Sequence, residues 1–238
     1  MGPLDWILDL VLPATCAGCG ATSHAWCPQC AAEMVRAGSG PNALRADPTP
    51  RPMGLPPVHA AAPYAGVVRT ALLAYKDGDR RDLRSVLAPL LARAVQAADA
   101  VGDAVLVPMP SRAAARRRRG DAPVADLVRV VGELSGREVA DILRPVRRLA
   151  DQAGLDTTLR RANLAGAYRA RERADLAAGR AVLLVDDVVT TGATLAEAAR
   201  AVRAVGARPV GCATVAATRR RPLPCRAGTH SGSVSSWE

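Results

Sequence analysis

The chain has 238 residues, 49% hydrophobic and 23% charged, with 18 prolines and a formal net charge of +10. That length suits one sizeable domain plus an appendage, and no apolar stretch approaches the length of a membrane helix. Of its 32 basic residues only Lys76 is lysine, and aromatics are 3% of the chain. The positive balance suits phosphate-rich ligands as well as nucleic acid, but stacking platforms for single strands are not evident.

The opening run Trp6-Ile7-Leu8-Asp9-Leu10-Val11-Leu12 reads as a short amphipathic helix. Asp9 interrupts it and no basic leader precedes it, so it is a poor signal peptide and the expected location is cytoplasmic. Two Cys-x-x-Cys pairs follow, Cys16/Cys19 and Cys27/Cys30, separated by seven residues. Each pair can form a knuckle, Gly18 and Gly20 supply tight backbone, and four thiolates complete a tetrahedral shell. The expected ion is structural zinc with no open position. Two disulfides are the rival, disfavoured in a reducing compartment. His24 and Trp26 read as packing or surface residues, with His24 as a metal ligand the minor alternative. Residues 38–63 are dense in Pro and Gly and read as a linker between this module, 1–37, and a main domain over 64–218. Residues 219–238 read as a disordered tail.

In the main domain the spacing predicts a helix over 66–75, a turn at 76–79 and a helix over 80–98 with Leu83, Val86, Leu87, Leu90 and Leu91 on one face. A buried strand is expected at 104–107, ending in Pro108-Met109-Pro110. The loop after it holds Ser111, Arg112 and the run Arg116–Arg119. Asp121 can cap a helix over 122–134 stopped by Gly136. A strand is expected at 139–143, then an Arg-rich irregular segment over 144–172. A further strand is expected at 181–185, a helix over 194–205 ended by Gly206, and a last strand over 209–216. Alternating strands and helices with buried-type strands predict an α/β fold with a parallel sheet flanked by helices.

The most informative segment is Ala181-Val-Leu-Leu-Val-Asp186-Asp187-Val188-Val189-Thr190-Thr191-Gly192-Ala193-Thr194. An apolar strand runs into two carboxylates, a hydroxyl-rich loop and a helix start. The carboxyl end of a strand leading into a helix N-terminus is where open α/β sheets bind phosphorylated ligands. The amides of 190–194 can converge on one phosphate, with Gly192 permitting close backbone approach. Asp186 and Asp187 suit ribose hydroxyls one sugar-width away, or oxygen-loving Mg²⁺. A plain strand-to-helix turn with Thr194 as N-cap is the alternative on spacing alone.

This segment resembles the 5-phosphoribosyl-1-pyrophosphate (PRPP) loop of type I phosphoribosyltransferases. The resemblance implies that Asp186 and Asp187 are catalytic and that Asp186 through Thr194 bind the 5-phosphate and ribose of PRPP, with Mg²⁺ accompanying the pyrophosphate. The hypoxanthine-guanine branch has an Asp where Thr190 stands, so that branch's base recognition is unsupported here.

The order of parts resembles the ComF family of phosphoribosyltransferase-like proteins. The landmarks are Leu12-Pro13 before the cysteine pairs, Tyr64-Ala-Gly66, Tyr75-Lys76-Asp-Gly78, Val107-Pro108-Met109-Pro110, Arg119-Gly120, Gln152, Arg160-Arg-Ala-Asn163 and Gly166-Ala167-Tyr168. The chain departs from that pattern at Asp121-Ala122 and Leu159. The resemblance implies a type I phosphoribosyltransferase fold with an N-terminal zinc module. It places a pyrophosphate loop at Pro108, Met109, Pro110, Ser111, Arg112 and Arg119. Lys76, Gln152, Arg160 and Asn163 become hood or accessory residues, although an ordinary surface loop fits the last three equally well. The expected reaction is phosphoribosyl transfer from PRPP to a nitrogen nucleophile. The alternative is a non-catalytic PRPP- or nucleotide-binding accessory of DNA uptake, its zinc module contacting DNA or a competence protein.

Overall fold

A computed structural model describes residues 15–22, 24–39, 45–99, 102–110, 122–146, 166–171 and 177–218. Helix α1 spans Pro28–Gly38, strand β1 Val58–Pro63 and helix α2 Gly66–Asp77. A 3₁₀ turn at Arg81–Leu83 leads into α3, Arg84–Ala98, and β2 follows at Val105–Pro108. Then come α4 at Pro123–Ser135, β3 at Leu143–Pro145 and β4 at Tyr168–Ala170. The last elements are β5 at Ala181–Val189, α5 at Ala193–Arg203 and β6 at Arg208–Ala217.

Four strands form one sheet in the order β1-β6-β5-β2, every neighbouring pair parallel, and β3 pairs antiparallel with β4 in a separate ribbon. Both faces of the sheet are covered, which is why its strands read as continuous apolar runs. Side chains alternate between the faces. Leu106, Leu183, Val185, Ala213 and Val215 pack with helices α2, α3 and α4. Val105, Val107, Val182, Leu184 and Cys212 pack instead with α5 and the β3–β4 ribbon. The α/β class expected from the sequence is the observed one.

Several local expectations are corrected. Residues 58–63 belong to the stretch read as linker, yet they form the edge strand β1, register-paired with β6 from Val58↔Cys212 to Pro63↔Ala217. Their composition hides this, because half of the strand is alanine, which β-propensity undervalues. The linker reading also separates the cysteine module from the main domain. In the structure Cys16, Cys27, Cys30 and Met34 lie in the same apolar cluster as α2 and α3.

Strand β5 runs four residues past the predicted 185, because parallel pairing continues to Val189↔Ala217. Asp186 and Asp187 therefore sit within a hydrogen-bonded strand. The residue at the N-cap of α4 is Ala122, with Pro123 at N1 and no side-chain cap, where Asp121 was expected to cap. The strand expected at 139–143 shrinks to a single bridge, Val139 to Leu106, and regular pairing begins only at Leu143. Gly192, not Thr194, is the N-cap of α5. The segments expected to form an N-terminal helix and a disordered C-terminal tail, together with Asp121 and the Arg116–Arg119 run, lie outside the described residues.

Candidate phosphate-binding site and cysteine centre

Parallel strands end together, and at their carboxyl edge the structure gathers three segments that are far apart in the chain. Pro108 pairs with Val185, and Met109 N donates to Val185 O at 2.8 Å. The loop after β2 is thereby fixed beside the acids of β5. On the helix-covered face, Lys76 in the last turn of α2 forms an ion pair with Asp187 Oδ2. The Asp187 side chain is 8% exposed and that of Lys76 34%. A buried carboxylate needs such a partner to remain charged.

Backbone amides hold the acids as well. Asp187 N donates to Asp186 Oδ1 at 2.9 Å, and Val188 N to Asp187 Oδ1 at 2.7 Å. Asp186 is half-buried, and its loss of solvation, joined by the neighbouring charge of Asp187, pushes its carboxyl well above the usual carboxylate range. Burial would pull the Lys76 ammonium down, but the charges of Asp187, Asp186 and Asp77 outweigh it and hold its pKa above the ordinary value.

The loop turns sharply after Val189. Gly192 has φ +71°, and a Cβ there would meet Leu55 Cδ2 at 2.8 Å and Pro48 Cγ at 3.2 Å. Only glycine satisfies both the left-handed backbone and that close approach. Ala193 N donates to Thr191 Oγ1 at 3.4 Å, and Ala196 N closes the first helical turn onto Gly192 O at 2.9 Å. Thr190 is exposed, and Thr191, Ala193 and Thr194 are half-buried. The amides of Thr190, Thr191 and Gly192 make no hydrogen bond among the described residues. Beside the positive end of the α5 dipole, these amides are donors that could receive an anion. The far end of the loop is pinned by Thr218 N donating to Val189 O at 3.0 Å.

The structure thus brings Lys76, Pro108, Met109, Pro110 and residues Asp186 through Thr194 to one edge. Ser111, Arg112, Arg119, Gln152, Arg160 and Asn163 lie outside the described residues. Glu197 is a site neighbour that sequence reading missed. Buried on α5, it accepts from Gly166 N at 2.9 Å and pairs with Arg200, whose Nη2 donates to Tyr168 O at 3.3 Å. These bonds tie β4 to the helix that starts at the loop. The available signal was Glu197 and Arg200 at i and i+3 on one helix.

The four cysteines also converge. Ligand atoms of Cys16, Cys19, Cys27 and Cys30 all lie within 4.8 Å of one another, and none of the four is in a disulfide. Thiolates about 2.3 Å from a tetrahedral zinc sit about 3.8 Å apart. The Cys19 and Cys27 sulfurs are 3.7 Å apart. The knuckle closes through Gly20 N donating to Cys16 O at 2.8 Å, and Cys27 N donates to Cys16 Sγ at 3.3 Å. Gly18 must lack a side chain, because its Cβ would lie 2.5 Å from Cys30 Sγ. Burial raises the Cys16 thiol, but amide hydrogen bonds from Cys27, Cys19 and Gly18 outweigh it and bring the pKa down to about 6. The donor set could hold a zinc ion.

A family model described as phosphoribosyl transferase domain matches residues 70–237. No curated protein matches the chain at a significant level. The family match takes in Lys76, the loop after β2 and the whole acidic strand and cradle, whereas the cysteine centre precedes it. Among the described residues no helix is long and apolar enough to cross a membrane. With the match covering well over half of its 238 residues, the chain belongs to the phosphoribosyl transferase domain family.

Proposed function

We propose that this protein binds PRPP at the carboxyl edge of β5 and transfers its phosphoribosyl group to a nitrogen nucleophile, releasing pyrophosphate. The observation that carries the reading is the juxtaposition of the unbonded amides of 190–192 with the Asp186–Asp187 pair, one end suited to the 5-phosphate and the other to ribose hydroxyls. The nitrogen lone pair forms the new bond to C1 of the ribose as the C1–O bond breaks. The electron pair leaves with the pyrophosphate, and the nitrogen gives up its proton to solvent. Positioning and charge complementarity supply most of the acceleration, and no covalent nucleophile is required.

Within this reading Asp186 and Asp187 orient the ribose, and Lys76 balances their charge. Pro108 to Pro110, with Ser111, Arg112 and Arg119 beyond them, receive the pyrophosphate. Gln152, Arg160 and Asn163 serve as hood residues. Mg²⁺ accompanies the pyrophosphate and would neutralise its developing charge. The cysteine centre holds structural zinc. Residues 64–218, joined by β1, make the transferase domain. The ComF-like order of landmarks supports a cytoplasmic protein of that family.

The test is pyrophosphate release from PRPP and Mg²⁺ with a panel of nucleobases and amines. Release with one acceptor class, abolished by Asp187→Asn, supports transfer. Saturable PRPP binding without release on any acceptor replaces the reaction with the accessory role in DNA uptake, and salt-sensitive DNA or competence-protein retention by the cysteine module would then follow. A wild-type chain that binds neither PRPP nor ribose 5-phosphate contradicts both.

A further inference from the structure

The cysteine centre and the acidic strand end are joined by one short stretch of chain. Lys76, the partner of Asp187, lies in the last turn of α2. Four residues later, Arg80 lays its guanidinium across the cysteine module. Its Nη1 donates to Thr15 O at 3.1 Å and its Nη2 to Ala25 O at 2.9 Å. Thr15 directly precedes the ligand Cys16, and Ala25 O also accepts from Ala17 N at 3.2 Å. Both carbonyls therefore belong to the framework that the cysteines hold. Asp82 fixes the other edge of the guanidinium, accepting from Nε at 2.9 Å and from Nη2 at 2.8 Å.

The turn between Lys76 and Arg80 has little slack. Gly78 N and Arg80 N both donate to Ala74 O, at 3.0 and 3.2 Å. Asp79 is the one non-glycine residue with positive φ among those described, at +55°. Such a conformation persists where its surroundings over-determine it. On the other side of Lys76, the buried Tyr75 donates its hydroxyl to Pro123 O at 2.9 Å, and Arg81 lies 5.3 Å over its ring. Lys76 is thus held between two anchors, one of which is the cysteine module.

We propose that the four-cysteine module sets the position of Lys76 through Arg80, so that metal binding at Cys16, Cys19, Cys27 and Cys30 and PRPP binding at Asp186 to Thr194 are thermodynamically linked. The proposal rests on the PRPP reading of the site. Arg80 is a positioning residue. Its planar fork reaches two carbonyls and a carboxylate at once, which a lysine ammonium could not reproduce. Linkage between two binding equilibria is reciprocal, so each ligand must strengthen the other by the same factor.

The experiment uses the full-length, zinc-loaded chain. Zinc affinity is measured by equilibrium competition with a chromogenic chelator, with and without PRPP and Mg²⁺. PRPP is expected to tighten zinc binding at least about fivefold, the lower end of ordinary coupling. In Arg80→Gln, with zinc content confirmed by elemental analysis, PRPP should bind at least about fivefold more weakly and no longer shift zinc affinity. Arg80→Lys should not rescue the coupling, and Asp82→Asn should weaken it. Wild-type protein that binds PRPP with zinc affinity unchanged overturns the linkage while leaving the functional reading intact. Wild-type protein that binds no PRPP overturns both.

Discussion

Lys76 and Asp187 lie 111 positions apart in the chain, yet their side chains form an ion pair between the end of α2 and the end of β5. The pair joins the chain's lone lysine to an acid that the apolar strand has carried into the protein. Removing one partner leaves the other exposed to a buried environment without compensation. Because Lys76 is about one-third exposed, solvent screens part of the loss. Lys76→Met is expected to cost about 1–3 kcal/mol in urea unfolding. The double variant Lys76→Met with Asp187→Asn should recover most of that loss, as a coupled pair requires. Additive losses in the cycle would contradict the pairing.

Asp186 carries the opposite prediction for stability. Its pKa is raised on folding by burial and by Asp187, so the folded state binds its proton more tightly than the unfolded chain. Its contribution favours folding fully below the unfolded value and is lost as pH rises through the folded value. Asp186→Asn, which keeps an acceptor for Asp187 N, should therefore raise the melting temperature at pH 8. Near pH 4 the gain should shrink. PRPP affinity should fall at both pH values, as expected where a binding site stores destabilising charge. A variant that melts lower than wild type at pH 8 would contradict this assignment.

Gly192 tests the cradle independently of charge. Gly192→Ala meets both the positive φ and the contacts to Leu55 and Pro48. It should destabilise the fold by about 1–3 kcal/mol and weaken PRPP binding at least tenfold, about 1.4 kcal/mol. Adding Leu55→Ala makes room for the methyl group but leaves the backbone strain, so it should restore only part of the affinity. Full restoration would show that crowding alone selects glycine there.

The cysteine centre predicts one zinc per chain and a pH signature of uptake. The amides around Cys16 bring its thiol down to about 6, which favours the thiolate at neutral pH. Zinc binding at pH 7 should therefore release fewer than four protons, read by calorimetry in buffers of different ionisation enthalpy. Because Cys16, Cys27 and Cys30 sit in the cluster that includes α2 and α3, zinc removal should lower the melting temperature of the main transition. An unchanged transition would mean that the module is energetically separate.

Much of this was legible along the chain because its signals are local. The apolar run at 181–185, the Asp pair, the hydroxyls and Gly192 stand in one continuous segment. The Cys-x-x-Cys pairs likewise carry their own spacing, and the structure brings all four sulfurs together. Lys76 stood out by composition, but its partner was invisible because only the fold sets α2 against β5. Arg80 carried no signal for the same reason, its acceptors Thr15 and Ala25 being 65 and 55 residues away. Strand β1 was hidden by its three alanines and its closing Pro63, which take their meaning from pairing with β6. Glu197 offered only its i, i+3 spacing to Arg200, because a buried acid on a helix otherwise reads in sequence like a solvated one.

The most direct measurement is calorimetric titration of PRPP, with Mg²⁺, into the zinc-loaded chain. Saturable binding at one site per chain is expected, lost or reduced at least about a hundredfold in Asp187→Asn, the scale of removing a site's key charged contact. No heat of binding from wild-type protein, or binding that Asp187→Asn leaves unchanged, would contradict it.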